Sequence, residues 1–175
     1  MRAFIALDLP EEFTGELADL ARQLSPAVRG RYLPRGNYHV TLAFLGEVGE
    51  VAARDAVAAL DAACAGAGPV ALRPAGLGHF GRPRDATLWL GLEPVAELTE
   101  LAAAVRDALS AAGLAYDAKE FRPHITIARR AQLPRGPLPG LVFPQTAEAR
   151  AATLYKSTLS SDGATYKPLY TVELE

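Results

Sequence analysis

Apolar positions along the chain recur with two periods, and the change from one to the other marks the predicted elements. Ala3 to Leu9 is a short apolar run closed by Asp8 and Pro10, the pattern of a buried strand entering a helix with proline in its first turn. Phe13, Leu17, Leu20, Ala21 and Leu24 then repeat at steps of three and four, with Glu11, Glu12, Glu16, Asp19 and Arg22 on the other side. Ser25-Pro26 ends this helix, and a basic, glycine-bearing loop with Arg29, Arg31 and Arg35 follows. From His39 the period falls to two until Gly46 stops the strand. Glu50 to Ala65 predicts a second helix on Val51, Val57, Leu60 and Cys64, ended by Gly66 and Gly68. Pro69 to Leu77 reads as a strand leading into a turn over Gly78 to Pro83.

The order then restarts. Thr87 to Leu92 is a strand, Glu93-Pro94 opens a helix on Val95, Leu98, Leu101, Ala102, Val105 and Leu109, and a second period-two strand begins at His124. Prolines and glycines crowd an exposed loop between Gln132 and Pro144. The tail carries a hairpin, near Ala149 to Leu159 and Thr165 to Leu174, joined by Ser160-Ser161-Asp162-Gly163. Strand, helix, strand thus occurs twice, an internal duplication.

The two period-two strands match residue for residue: His39-Val40-Thr41-Leu42-Ala43 and His124-Ile125-Thr126-Ile127-Ala128. Strict alternation places His39, Thr41 and Ala43 on one face and Val40, Leu42 and Phe44 on the other, and it sorts the second copy alike. No glycine-rich loop follows an early strand, which disfavours a doubly wound sheet. The fold predicted is α+β and bilobal: two mainly antiparallel sheets with outer helices, pseudo-twofold symmetric around a central cleft that brings His39 and His124 together. A single unit over 1–175 is expected, made of two interleaved lobes with repeats at about 1–85 and 86–175.

Composition narrows the function. The chain has 175 residues, 50% hydrophobic and 22% charged, enough for a sizeable core. A net charge of −2 gives no global basic footprint, so any nucleic-acid contact is expected to be local or terminal. One cysteine, Cys64, excludes an internal disulfide and a cysteine-based zinc site, and its default is a small buried thiol. No stretch approaches the length of a membrane span and the first residues do not read as a signal peptide, so a cytoplasmic location is expected.

Only three histidines occur, and two sit in the matched motifs. A neutral imidazole can take a proton from water and an imidazolium can give one to a leaving oxygen, with an unperturbed pKa of about 6.5. Each threonine places a hydroxyl about 6.5 to 7 Å along the strand, within reach of a non-bridging phosphate oxygen, and Ala43 and Ala128 leave room for the anion. The array reads as a receptor for a phosphodiester held between two proton carriers. Neither histidine has a second His, Asp or Glu at close same-face spacing, which argues against a metal site.

With these motifs the chain resembles the 2H phosphoesterases, and within them the RNA 2′,3′-cyclic phosphodiesterases also called 2′-5′ RNA ligase-like proteins. The opening Arg2-Ala3-Phe4-Ile5-Ala6-Leu7-Asp8-Leu9-Pro10, the segments Asn37 to Val48 and Phe121 to Arg129, and the closing Leu154-Tyr155-Lys156-Ser157 and Gly163-Ala164-Thr165-Tyr166 carry the resemblance. It implies metal-independent hydrolysis of an RNA 2′,3′-cyclic phosphate to a 2′-phosphate, with His39 as proton donor, His124 as the base, and Thr41 and Thr126 on the phosphate. The residues alone leave the two roles symmetric. Arg129 matches a family arginine, but alternation puts it opposite His124, so it reaches the site only where the strand ends or twists. Phe80 matches an aromatic that would stack on a base, against the reading of a core residue beside Leu77. His79 reads as a loop residue, Lys156 and Ser157 as structural, and the arginines at 29, 31 and 35 either contact RNA phosphates or solvate a connection.

No cofactor is expected. The partner expected is an RNA 3′ end or nucleotide bearing a 2′,3′-cyclic phosphate, with no membrane and a monomeric chain. Two other enzymatic readings use the same residues: 2′-5′ RNA ligation, or hydrolysis of a small cyclic nucleotide phosphate. A non-catalytic RNA-end or nucleotide-binding module is the alternative from another class.

Overall fold

The computed structural model describes residues 1–175. Its elements run β1 (Arg2–Leu7), α1 (Glu11–Leu24), β2 (Arg29–Tyr32), a 3-10 turn (Arg35–Asn37), β3 (Val40–Glu47), α2 (Glu50–Cys64), β4 (Val70–Leu72), β5 (Pro74–Arg82), β6 (Asp85–Leu92), α3 (Ala96–Ala111), β7 (His124–Gln132), β8 (Ala147–Ala149), β9 (Ala151–Ser160) and β10 (Gly163–Glu173). The architecture is α+β, with two four-stranded antiparallel sheets, β10-β9-β1-β3 and β2-β7-β6-β5, and a small β4-β8 pair. In each large sheet the His-Thr strand lies antiparallel to the first strand of its own repeat, β3 beside β1 and β7 beside β6.

Three segments depart from the expected elements. The arginine loop is partly a strand: β2 pairs with β7 on the edge of the second sheet, where Gly30 lets the backbones close, since a Cβ there would lie 3.1 Å from Ala131 Cα. The strand expected over Pro69 to Leu77 breaks at Arg73 into β4 and β5, which belong to different sheets. The turn expected at Gly78 to Pro83 is the second half of β5, so His79 and Phe80 are strand residues, with His79 exposed and Phe80 half-buried. Glycine content suggests a turn, but Gly78 instead makes room for a ring. Gly78 faces Trp89 across the β5–β6 ladder, and a Cβ on Gly78 would lie 2.1 Å from the indole.

Phe13, Leu17, Leu20 and Leu24 of α1 and Leu98, Leu101, Val105 and Leu109 of α3 are buried as their helical spacing requires, in a core shared with Ile5, Leu7, Leu42, Leu90 and Ile125. Cys64 is in that core at 3% exposure, and burial pushes its thiol up to about 11. The first sheet is pinned where β1 ends: Thr153 and Tyr155 of β9 donate to the Asp8 carboxylate. Burial raises the Asp8 pKa, and the two hydroxyl bonds oppose that rise. No helix is long and apolar enough to cross a membrane.

Gly78→Ala should destabilise the protein by about 1–3 kcal/mol, because the added methyl overpacks the Trp89 seat. Urea unfolding should show a lower midpoint with an unchanged slope.

Candidate active site

Strict alternation does not hold in either motif strand, and both break it at the same place. Opposite β1, Ile5 faces Ala43 and Ala6 faces Thr41, so Leu42 is an extra residue in β3. Opposite β6, Leu88 faces Ala128 and Trp89 faces Thr126, so Ile127 is the extra residue in β7. A β-bulge of this kind reverses the parity of the residues after it up to the next bulge, which falls at Leu45 in β3 and at Arg129–Arg130 in β7. Leu42 with Ala43, and Ile127 with Ala128, accordingly point into the core at 0% exposure. Phe44 and Arg129 swing to the face of the histidines instead.

This corrects the expected place of the two alanines, which leave no space beside the histidines because they face away from them. It also explains Arg129. Alternation alone placed it behind the sheet, and the bulge returns it to the His124 face.

The face so built lines a cleft of about 410 Å³ between the two large sheets. His39, Thr41 and Phe44 come from the first sheet's motif strand, and His124, Thr126 and Arg129 from the second's. Phe80 lines it as well. So do Arg2, Asn37, Ser157 and Tyr166, which sequence reasoning did not single out as site residues. Their signal is present only as membership of the opening segment, of the segment from Asn37 to Val48 and of the closing segments. Ser157 was read as structural; it is 9% exposed and faces the cleft.

The histidines are held by one device used twice. His39 Nδ1 bonds the carbonyl of Asn37 at 2.8 Å, and His124 Nδ1 bonds the carbonyl of Arg122 at 2.5 Å, each acceptor two residues earlier. A carbonyl only accepts, so Nδ1 carries the hydrogen and Nε2 is the free nitrogen of each neutral ring. Around His39 stand Phe4 at 4.9 Å and Tyr166 at 5.3 Å between centroids; around His124 stand Phe80 at 5.1 Å and Trp89 at 5.7 Å. The two settings differ at the threonines. Thr41 Oγ1 lies 3.0 Å from His39 Nε2 and donates to it when the ring is neutral, whereas Thr126 makes no such bond to His124.

Burial disfavours the charged form of both rings in the free protein. Burial lowers the His39 pKa to about 4, the charges of His124 and Arg129 add to the effect, and the bond to Asn37 opposes it. His124 is lowered chiefly by burial and further by Arg122 and Arg129, with the bond to the Arg122 carbonyl opposing. Arg2 sets its guanidinium 4.9 Å over the Phe44 ring, and its Nε is buried without a partner. No three His, Cys, Asp or Glu side chains anywhere in the chain gather in a way that would hold a metal ion.

A duplicated α+β fold whose lobes face each other with His-x-Thr strands defines the 2H phosphoesterase class. The sequence matches the 2′-5′ RNA ligase superfamily over residues 9–156, and the chain belongs to that family. The RNA 2′,3′-cyclic phosphodiesterase of Thermotoga maritima is 32% identical over 181 aligned residues, covering 100% of this chain and 96% of the relative. Among crystal structures, a Thermus thermophilus protein superposes with a TM-score of 0.83 at 29% identity, covering 99% of this chain and 98% of that one. Escherichia coli LigT complexed with 3′-AMP superposes with a TM-score of 0.78 at 28% identity, covering 99% and 96%.

The depressed His39 pKa predicts a pH dependence of stability. Below pH 6.5 the unfolded chain binds a proton at residue 39 that the folded chain resists until about pH 4, so the contribution is full above 6.5 and is lost as pH falls. Urea midpoints should therefore fall between pH 7 and pH 5. In His39→Asn that slope should be shallower, whatever the variant's absolute stability.

Proposed function

We propose that this protein hydrolyses the 2′,3′-cyclic phosphate at an RNA end to a 2′-phosphate, with His39 and His124 as the proton carriers. The observation that carries the reading is that both histidines, each with Nδ1 held by a carbonyl and Nε2 left free of the backbone, line one cleft together with both motif threonines. The activity for which the Thermotoga relative is named and the 3′-AMP bound by LigT support this substrate class.

The reaction is one in-line displacement. Water attacks phosphorus as His124 Nε2 accepts its proton. The bond from phosphorus to the 3′ oxygen breaks, and His39 Nε2–H protonates that oxygen to leave a 3′-hydroxyl and a 2′-phosphomonoester. Thr41 and Thr126 hold non-bridging oxygens, and Arg129 neutralises charge that builds on them. Phe80, at the His124 wall, offers a ring for the terminal base.

The acid role demands a proton that burial denies His39 in the empty cleft. The anionic substrate supplies the missing opposite charge, so His39 is protonated together with substrate binding. Thr41 then turns its hydroxyl from Nε2 to the phosphate.

Purified protein incubated with an oligoribonucleotide ending in a 2′,3′-cyclic phosphate, with chelator in excess, should yield the 2′-phosphate; absence of that product overturns the reading. His39→Ala and His124→Ala should each lower kcat by about a hundred- to ten-thousandfold and retain the fold, by circular dichroism. Both free-protein pKa values are depressed, so the bell of kcat/KM should peak on the acidic side of pH 6.5, with the kcat bell displaced upward by the bound anion.

A further inference from the structure

At the end of the cleft lies a second space, and apart from Arg129 the hydrolytic step uses none of its side chains. A groove of about 300 Å³ runs between β2 and the tip of the β9–β10 hairpin, and it shares Asn37, Arg129 and Tyr166 with the cleft. Arg31 and Tyr32 form one wall, Leu159 and Asp162 the other. Resting on the function proposed above, we infer that this groove is a subsite for the nucleotide preceding the RNA terminus, with Arg31 on the phosphodiester that joins the two.

The placement of the arginines supports it. Arg31 stands directly across the β2–β7 ladder from Arg129, so the two cations continue in one line from the cleft into the groove. Neither forms an ion pair, although the chain as a whole is net negative. The neighbouring arginines are not equivalent. Arg35 folds back to donate to the Glu11 carbonyl at 3.2 Å, and Arg29 lies outside the groove. Two unneutralised cations beside an open channel make a local anion track, while Asp162, on the hairpin tip, is the one carboxylate in the wall.

The other end of the cleft is built differently. There Arg106 is committed to the carbonyls of Leu42 and Lys119, Lys119 pairs with Asp117 at 3.9 Å, and Arg122 lies 5.6 Å over the Phe80 ring. Engaged cations and phenylalanines suit a base, and free arginines suit a backbone. The cleft therefore has a direction: terminal base toward Phe80, upstream chain toward Arg31.

The discriminating measurement compares a nucleoside 2′,3′-cyclic monophosphate, which has no upstream phosphodiester, with a ten-residue oligoribonucleotide carrying the same terminus. Arg31→Ala should lower kcat/KM for the oligonucleotide about tenfold and leave the mononucleotide within twofold, with Arg31→Lys retaining part of the preference. The slope of log kcat/KM against log salt for the oligonucleotide should become shallower by about 0.7. Equal losses on both substrates, or no loss on either, overturn the inference. If wild-type protein turns over neither substrate, the proposed hydrolysis fails by itself. Fluorescence anisotropy with a labelled oligonucleotide ending in a 2′-phosphate then decides the groove: weaker binding by Arg31→Ala supports it, and equal binding by the variant and wild type overturns it.

Discussion

Two extra residues, Leu42 and Ile127, set the composition of the site. Each forms a β-bulge one position after the motif threonine, and each inverts the facing of the residues that follow it, as far as a second bulge further along the strand. The core gains an alanine on each side, and the cleft gains Phe44 on one wall and Arg129 on the other. A regular pair of strands would present two alanines there and put Phe44 and Arg129 on the opposite face. The duplication thus preserves an irregularity as faithfully as it preserves the histidines, while the residue that the bulge delivers differs between copies.

That difference joins a second one at the histidines. Both rings use a carbonyl two residues upstream to fix the Nδ1 hydrogen, so the geometry is symmetric where it leaves Nε2 free of the backbone. It is asymmetric in what surrounds that nitrogen. His39 receives the Thr41 hydroxyl and lies between Phe4 and Tyr166, whereas His124 lies between Phe80 and Trp89 and follows Arg122. Two histidines with unequal surroundings suit the proposed step, in which one group must give what the other takes.

The aromatic walls are themselves a consequence of backbone. Trp89 reaches His124 because Gly78 and Gly91 leave space for its ring, and a Cβ on Gly91 would lie 3.1 Å from it. Gly30 plays the same part at β2, letting an edge strand close on β7 and carry Arg31 to the mouth of the groove. Glycine here serves close approach, and that is why a reading of glycine as punctuation mistook half of β5 for a turn and β2 for a loop.

Much of the fold was legible in the sequence because it rests on local periodicity. The stripes of α1 and α3 and the alternation around Val40 and Ile125 state which side is buried, and the repeat of His39-x-Thr41 as His124-x-Thr126 states that two walls match. What alternation could not state was where it stops. A bulge is decided by the partner strand, through the pairing of Ile5 and Ala6 with β3 and of Leu88 and Trp89 with β7, and no residue type at 42 or 127 announces it. The positions of Arg129, Phe44, Arg2 and Arg31 are of that second kind. Identity and spacing singled out the two motif histidines from the chain itself, but only the paired strands, by their register, decided which other side chains share the cleft with them.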